Sequence, residues 1–102
     1  MSNKQGGALK KTLSNSEKKI LRARSYSLKP VVMIGQRGVS DAVLSEIVDA
    51  LEIHELMKVR FRGVDREERS KLSKLIARTV EATLIQQIGG IAVFFKPTKK
   101  QS

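Results

Sequence analysis

Residues 35–38 read Gly35-Gln36-Arg37-Gly38, two glycines three positions apart with a basic residue near the tip. Glycine has no Cβ and accepts positive φ, so a loop of this kind brings its backbone amides close to a phosphate. The Arg37 guanidinium adds a forked donor to the same contact. The plainer reading is an ordinary turn, in which the glycines serve only the chain path. Two better-known phosphate cradles are missing, since the chain has neither G-x-x-x-x-G-K-[ST] nor G-x-G-x-x-G. Val31-Val32-Met33-Ile34 precedes the loop and reads as a short buried, central strand; Ser40 then opens a helix. The Asp41 carboxylate already occupies the positive end of that helix. A phosphate therefore belongs on the loop amides and Arg37, off the helix axis.

The charge distribution favours a polyanionic partner for this loop. The 102 residues carry 20 Lys+Arg against 10 Asp+Glu, a net charge of +10, with a pI near 10.3. Residues 1–38 hold nine basic side chains and one acid, a balance of +8. Residues 39–57 hold five acids (Asp41, Glu46, Asp49, Glu52, Glu55) and no Lys or Arg, a balance of −5. Such sorting suits a molecule with one face for a polyanion and another turned away from it.

A chain of this length forms one domain with a single core. It has no cysteine, which excludes a disulfide frame and thiolate metal sites and fits a reducing cytoplasm. No stretch reads as a signal peptide or membrane span. Residues 1–13 read as a flexible basic arm, residues 14–97 as the folded domain and residues 98–102 as a short tail.

Within the domain, Ser14-Asn15-Ser16-Glu17 matches a capping box and starts a first helix that runs to about residue 25, with Leu13, Ile20 and Leu21 toward one side. Lys18, Lys19, Arg22 and Arg24 cover much of the remainder, and as a set adjoining the loop they are candidate phosphate contacts; Lys29, just before the first strand, joins them. The second helix, from about 41 to 53, carries Val43, Leu44, Ile47, Val48 and Leu51 as its apolar stripe. In the second strand, 56–62, Met57, Val59 and Phe61 alternate with Lys58, Arg60 and Arg62. The basic side of that strand is either a second surface for the polyanion or the wet side of the sheet. A third helix spans about 66–80 with Leu72, Leu75, Ile76, Thr79 and Val80 inward, and Gly89-Gly90 joins two final strands as a hairpin. The order α-β-α-β-α-β-β predicts an α/β two-layer sandwich on a mixed four-stranded sheet, with helices two and three on one face.

No enzyme is visible. His54, the single histidine, stands at a helix end without a Cys or second His, so it reads as a C-terminal cap and neither a catalytic base nor a metal ligand. Tyr26 reads as a packing residue. No cofactor is expected.

Lys29-Pro30, the four apolar residues, the G-x-x-G loop, the acidic helix, His54-Glu55-Leu56-Met57-Lys58-Val59 and Pro97-Thr98-Lys99 together resemble the CRM domain family (chloroplast RNA splicing and ribosome maturation), in particular its stand-alone bacterial YhbY-type members. The resemblance covers residues 14–99. It implies a fold similar to the C-terminal domain of translation initiation factor three. It also implies RNA binding through Gly35, Gln36, Arg37, Gly38 and neighbouring bases, association with rRNA of large-subunit precursors, and a part in assembling that subunit. A KH domain also clamps nucleotides with a G-x-x-G loop, but there the loop joins two helices. The expected protein is a cytoplasmic monomer bound to RNA, with ribosomal proteins as further partners. The rival reading is a protein-interaction or general polyanion-binding module on the ribosome.

Overall fold

The computed structural model describes residues 13–97. The expected arm (apart from Leu13) and the tail lie outside the described residues. Seven elements follow the expected order: α1 (Asn15–Ser25), β1 (Pro30–Ile34), α2 (Asp41–His54), β2 (Leu56–Phe61), α3 (Arg66–Thr79), β3 (Thr83–Ile88) and β4 (Ile91–Phe95).

Each helix starts on a side-chain cap, which satisfies amides that have no partner in the first turn. The capping box of α1 is complete: Glu17 N donates to Ser14 Oγ at 3.1 Å and Ser14 N donates to the Glu17 carboxylate at 2.9 Å. Ser40 Oγ accepts from Val43 N at 3.2 Å, and Asp65 accepts from Glu68 N at 2.9 Å.

The sheet order is β1-β2-β4-β3, with β1 parallel to β2 and the other pairs antiparallel. The first strand is therefore an edge strand and not the central one that its unbroken apolar run suggests. Val32 and Ile34 are buried, whereas Val31 and Met33 are 51% and 53% exposed. A run of four apolar residues does not say how many neighbours it has. The position on the far side of β2 goes to β4, which the tight hairpin delivers.

One sheet face carries Val32, Ile34, Met57, Val59, Phe61, Ala92 and Phe94, packed against Ile47 and Leu51 of α2 and Ile76 and Ala77 of α3. Truncating one of these, such as Ile47→Ala, costs about 2–5 kcal/mol through lost transfer energy and a residual cavity. Ser73 and Ala77 are the small residues on the inner side of α3; Leu75 and Thr79, expected inward, are exposed. Small side chains let that helix approach the sheet, and this sets its rotation.

On the opposite face α1 lies against β2 and β3. Leu21, with Leu13 before the helix, covers Leu56, Ile85 and Val93. The basic face of β2 is thus partly covered rather than open along its length: Leu56 is buried, Lys58 half-buried and Arg60 exposed. The helix is rotated from its expected phase, leaving Ile20 61% exposed. Ser25 takes the inward position and donates from Oγ to the Arg22 carbonyl at 2.7 Å.

Candidate nucleic-acid interface

Parallel pairing of β1 and β2 brings the residues after Ile34 and after Phe61 to the same end of the sheet. Arg62 N donates to the Ile34 carbonyl at 2.9 Å and Phe61 N to the Gly90 carbonyl at 2.7 Å, which ties the corner together. From there the G-x-x-G segment folds back on itself: Gly38 N donates to the Gly35 carbonyl at 3.0 Å, with Gln36 and Arg37 at the tip. Gly38 sits at φ +84°, a backbone conformation that disfavours any Cβ. Gly35 differs, because a Cβ there would meet none of the described residues within 4 Å and its φ is not left-handed. The turn itself does not require glycine at position 35. What glycine provides there is bare, approachable backbone.

The loop borders an open groove of about 690 Å³, lined also by Met33, Ser40, Val43, Arg62 and Gly63. Among the described residues no carboxylate lines it. Among the described residues, the Arg37 and Arg62 side chains have no hydrogen bond or ion pair. The Ser40 hydroxyl is occupied as the helix cap. The groove thus offers exposed backbone, two uncommitted guanidinium groups and an apolar patch at Met33, an arrangement suited to a phosphate chain with bases beside it.

The other sequence-predicted residues are distributed differently from expectation. The α1 bases do not line this groove; Lys19 and Arg24 are exposed, and Lys18 and Arg22 are half-buried. Arg24 and Lys29 line a separate cleft with His54 at the start of β1. The strand stands between them and the loop, since α1 leads into the beginning of β1 and the loop leaves its end. Arg60 pairs across from Met33 on the α1 side of the sheet, and Lys58 across from Pro30. Tyr26, expected to pack, is 74% exposed at the end of α1. His54 occupies the last turn of α2, but the capping position itself belongs to Glu55.

Arg62 and Gly63 belong to the loop's surroundings, although the alternation of β2 assigns Arg62 to the sheet face. The signal that finds them is topological. Two parallel strands end together, so whatever follows one must adjoin whatever follows the other, and crevices at those carboxyl ends commonly hold ligands. Among the described residues no group of three His, Cys, Asp or Glu side chains could hold a metal ion, and no helix is long and apolar enough to cross a membrane.

Known proteins share both this sequence and this architecture. A Haemophilus influenzae protein named RNA-binding protein is 40% identical over 89 residues, covering 87% of this chain and 90% of its own length. The Bacillus subtilis protein named "Probable RNA-binding protein YqeI" is 30% identical, covering 86% of this chain and 92% of its own. The solution structure of the hypothetical Staphylococcus aureus protein SAV1595 superposes with a TM-score of 0.78 at 25% identity, covering 89% of this chain and 95% of that one. The sequence model of the CRS1 / YhbY (CRM) domain matches residues 13–96, from the buried Leu13 to the end of the sheet. With that match over most of its length, and relatives covered almost end to end, the chain belongs to the CRS1 / YhbY (CRM) domain family.

Proposed function

We propose that this protein binds RNA through the groove at Gly35–Gly38, and that its target is rRNA in precursors of the large ribosomal subunit, whose assembly it assists in the cytoplasm. The backbone of Gly35 and Gln36 approaches a phosphate, Arg37 and Arg62 hold its oxygens or those of its neighbours, and the α1 bases extend the attraction along the strand. The observation that carries the reading is the exposed G-x-x-G turn beside two guanidinium groups that have no partner among the described residues. Family membership and the names of two relatives as RNA-binding proteins support it. The ribosomal target rests on the family resemblance. No catalytic step is proposed.

Sedimentation of cell extract tests the reading. The protein should travel with large-subunit precursors, leave them after RNase treatment, and fail to join them as the Arg37→Glu, Arg62→Glu variant. Retention on ribosomal proteins after RNase would favour the rival protein-interaction module. Equal displacement of RNA by heparin and by RNA competitor would favour general polyanion binding.

A further inference from the structure

At the other end of β1 a second cleft, of about 320 Å³, opens between the α1–β1 link and the last turn of α2. Its rim holds Arg24, Lys29 and His54, and among the described residues no carboxylate lines it. Its floor is apolar, formed by Leu28 and Val31 over the buried Leu56 and Met57. The volume falls at the lower end of the ~300–1,000 Å³ range of small-molecule sites.

The simplest account of basic residues at helix ends is neutralisation of the carbonyl poles. It accounts for His54, in the last turn of α2, but not for Arg24 and Lys29. The last carbonyls of α1 are already engaged: Arg22 O by Ser25 Oγ at 2.7 Å, Ala23 O by Tyr26 N at 3.3 Å, Arg24 O by Ser27 Oγ at 3.4 Å and Ser25 O by Leu28 N at 3.0 Å. Lys29 belongs to neither helix. Among the described residues, the side chains of Arg24, Lys29 and His54 have no hydrogen bond or ion pair. Packing does not explain the floor either, because Val31 leaves 51% of its surface in water.

A cationic rim over an apolar floor matches a flat apolar body that carries an anion. We propose that the cleft holds one nucleotide of the same RNA strand that crosses the G-x-x-G loop, a refinement that rests on the RNA-binding reading above. The base lies over Leu28 and Val31, its phosphate meets Arg24 and Lys29, and the His54 imidazole hydrogen-bonds the base edge or the ribose. The two long basic side chains hold the phosphate out beyond the carbonyl ends of both helices. The five residues of β1 separate the two sites by about 13 Å at ~3.3 Å per residue. That distance is about four nucleotides at a stacked rise of ~3.4 Å. Met33, 53% exposed, lies along the path between the two sites.

The experiment titrates the 15N-labelled full chain with single-stranded oligoadenylates and oligouridylates of two, four and eight nucleotides at low salt. Amide shifts should appear at Gly35 and Gly38 with every length, and at Leu28, Val31 and His54 with the octamers, whose affinity should exceed that of the dimers by about tenfold because the second contact is intramolecular. The Arg24→Ala, Lys29→Ala variant changes two exposed side chains and should keep a dispersed native spectrum. It should keep the loop shifts and lose most of the gain with length. Octamers that never shift the cleft amides, or a gain that survives in the variant, would overturn the second site and leave the loop reading standing. Cleft shifts without loop shifts would remove the loop reading instead. No shifts at millimolar oligonucleotide would remove both.

Discussion

A Cβ on Gly63 would stand 3.2 Å from the Gln36 side-chain nitrogen and 3.3 Å from Gln36 Cγ, so the corner after β2 is closed directly against the G-x-x-G loop. Gly63 also sits at φ +71°. Gly63→Ala should therefore lose about 1–2 kcal/mol from the left-handed backbone alone, plus a steric part from Gln36. In a urea-denaturation double-mutant cycle, Gln36→Ala should recover the steric part and leave the backbone part. Full additivity of the two changes would show that corner and loop are not coupled.

The two loop glycines should respond differently to alanine. Gly35→Ala has open space and an ordinary φ, so its midpoint of unfolding should match the parent. Gly38→Ala should lose about 1 kcal/mol or more, because φ is +84°. RNA affinity should fall in both. Gly35→Asp should abolish it by setting a carboxylate where the backbone must meet phosphate. Folded Gly35→Asp protein that binds RNA as well as the parent would reduce the loop to a chain reversal.

Binding should depend steeply on salt. If four to six phosphates are neutralised, affinity falls about a hundredfold between ~50 and ~200 mM salt, at a slope of about −0.7 per contact on single strands. Arg37→Ala should make that slope shallower by roughly one contact. A flat response in filter-binding titrations would sink the electrostatic account.

Charge reversal separates a local site from general attraction. Glu46 and Asp49 are exposed on α2, which covers the sheet face opposite α1. Glu46→Lys with Asp49→Lys should barely change RNA affinity. Lys19→Glu with Arg22→Glu on α1 should lose about 2 kcal/mol or more, as attraction turns to repulsion close to the strand. Shifts of equal size and opposite sign at one fixed salt concentration would leave only a generally basic protein.

Away from the groove, Glu81 holds a left-handed backbone at φ 59° just beyond α3. Glu81→Gly removes that strain and should raise stability by up to about 1 kcal/mol without altering RNA affinity. An unchanged or lowered urea midpoint would mean that the side chain contributes as much as the strain costs.

Local features of the fold were legible in the residues because their causes are local. Ser14 with Glu17 marks a helix start, Met57, Val59 and Phe61 mark the core side of a strand, and Gly89-Gly90 marks a hairpin. What depends on distant partners was not. The edge position of β1 follows from β4 inserting beside β2, which nothing in Val31–Ile34 encodes. The rotation of α1, with Ser25 inward and Ile20 outward, depends on the sheet beneath it. For the candidate site, the loop was visible as a motif. The proximity of Arg62 and Gly63 to it requires the parallel register of two strands separated by a helix, and the clustering of Arg24 and Lys29 with His54 requires the whole path of α1.

Because β1 has a neighbour on one side only among the described residues, the strand that carries the G-x-x-G loop is held there by a single ladder, and that ladder joins segments separated by the whole of α2. β3 is the other edge strand, but its one ladder, to β4, closes across a two-residue turn and is therefore local. Local opening should therefore begin at β1, and amide hydrogen exchange there should outpace exchange in β2 and β4. The segment proposed to meet RNA is thus also one whose release leaves the β2–β4 and β4–β3 ladders intact, and a ligand gripping both of its ends would slow that release.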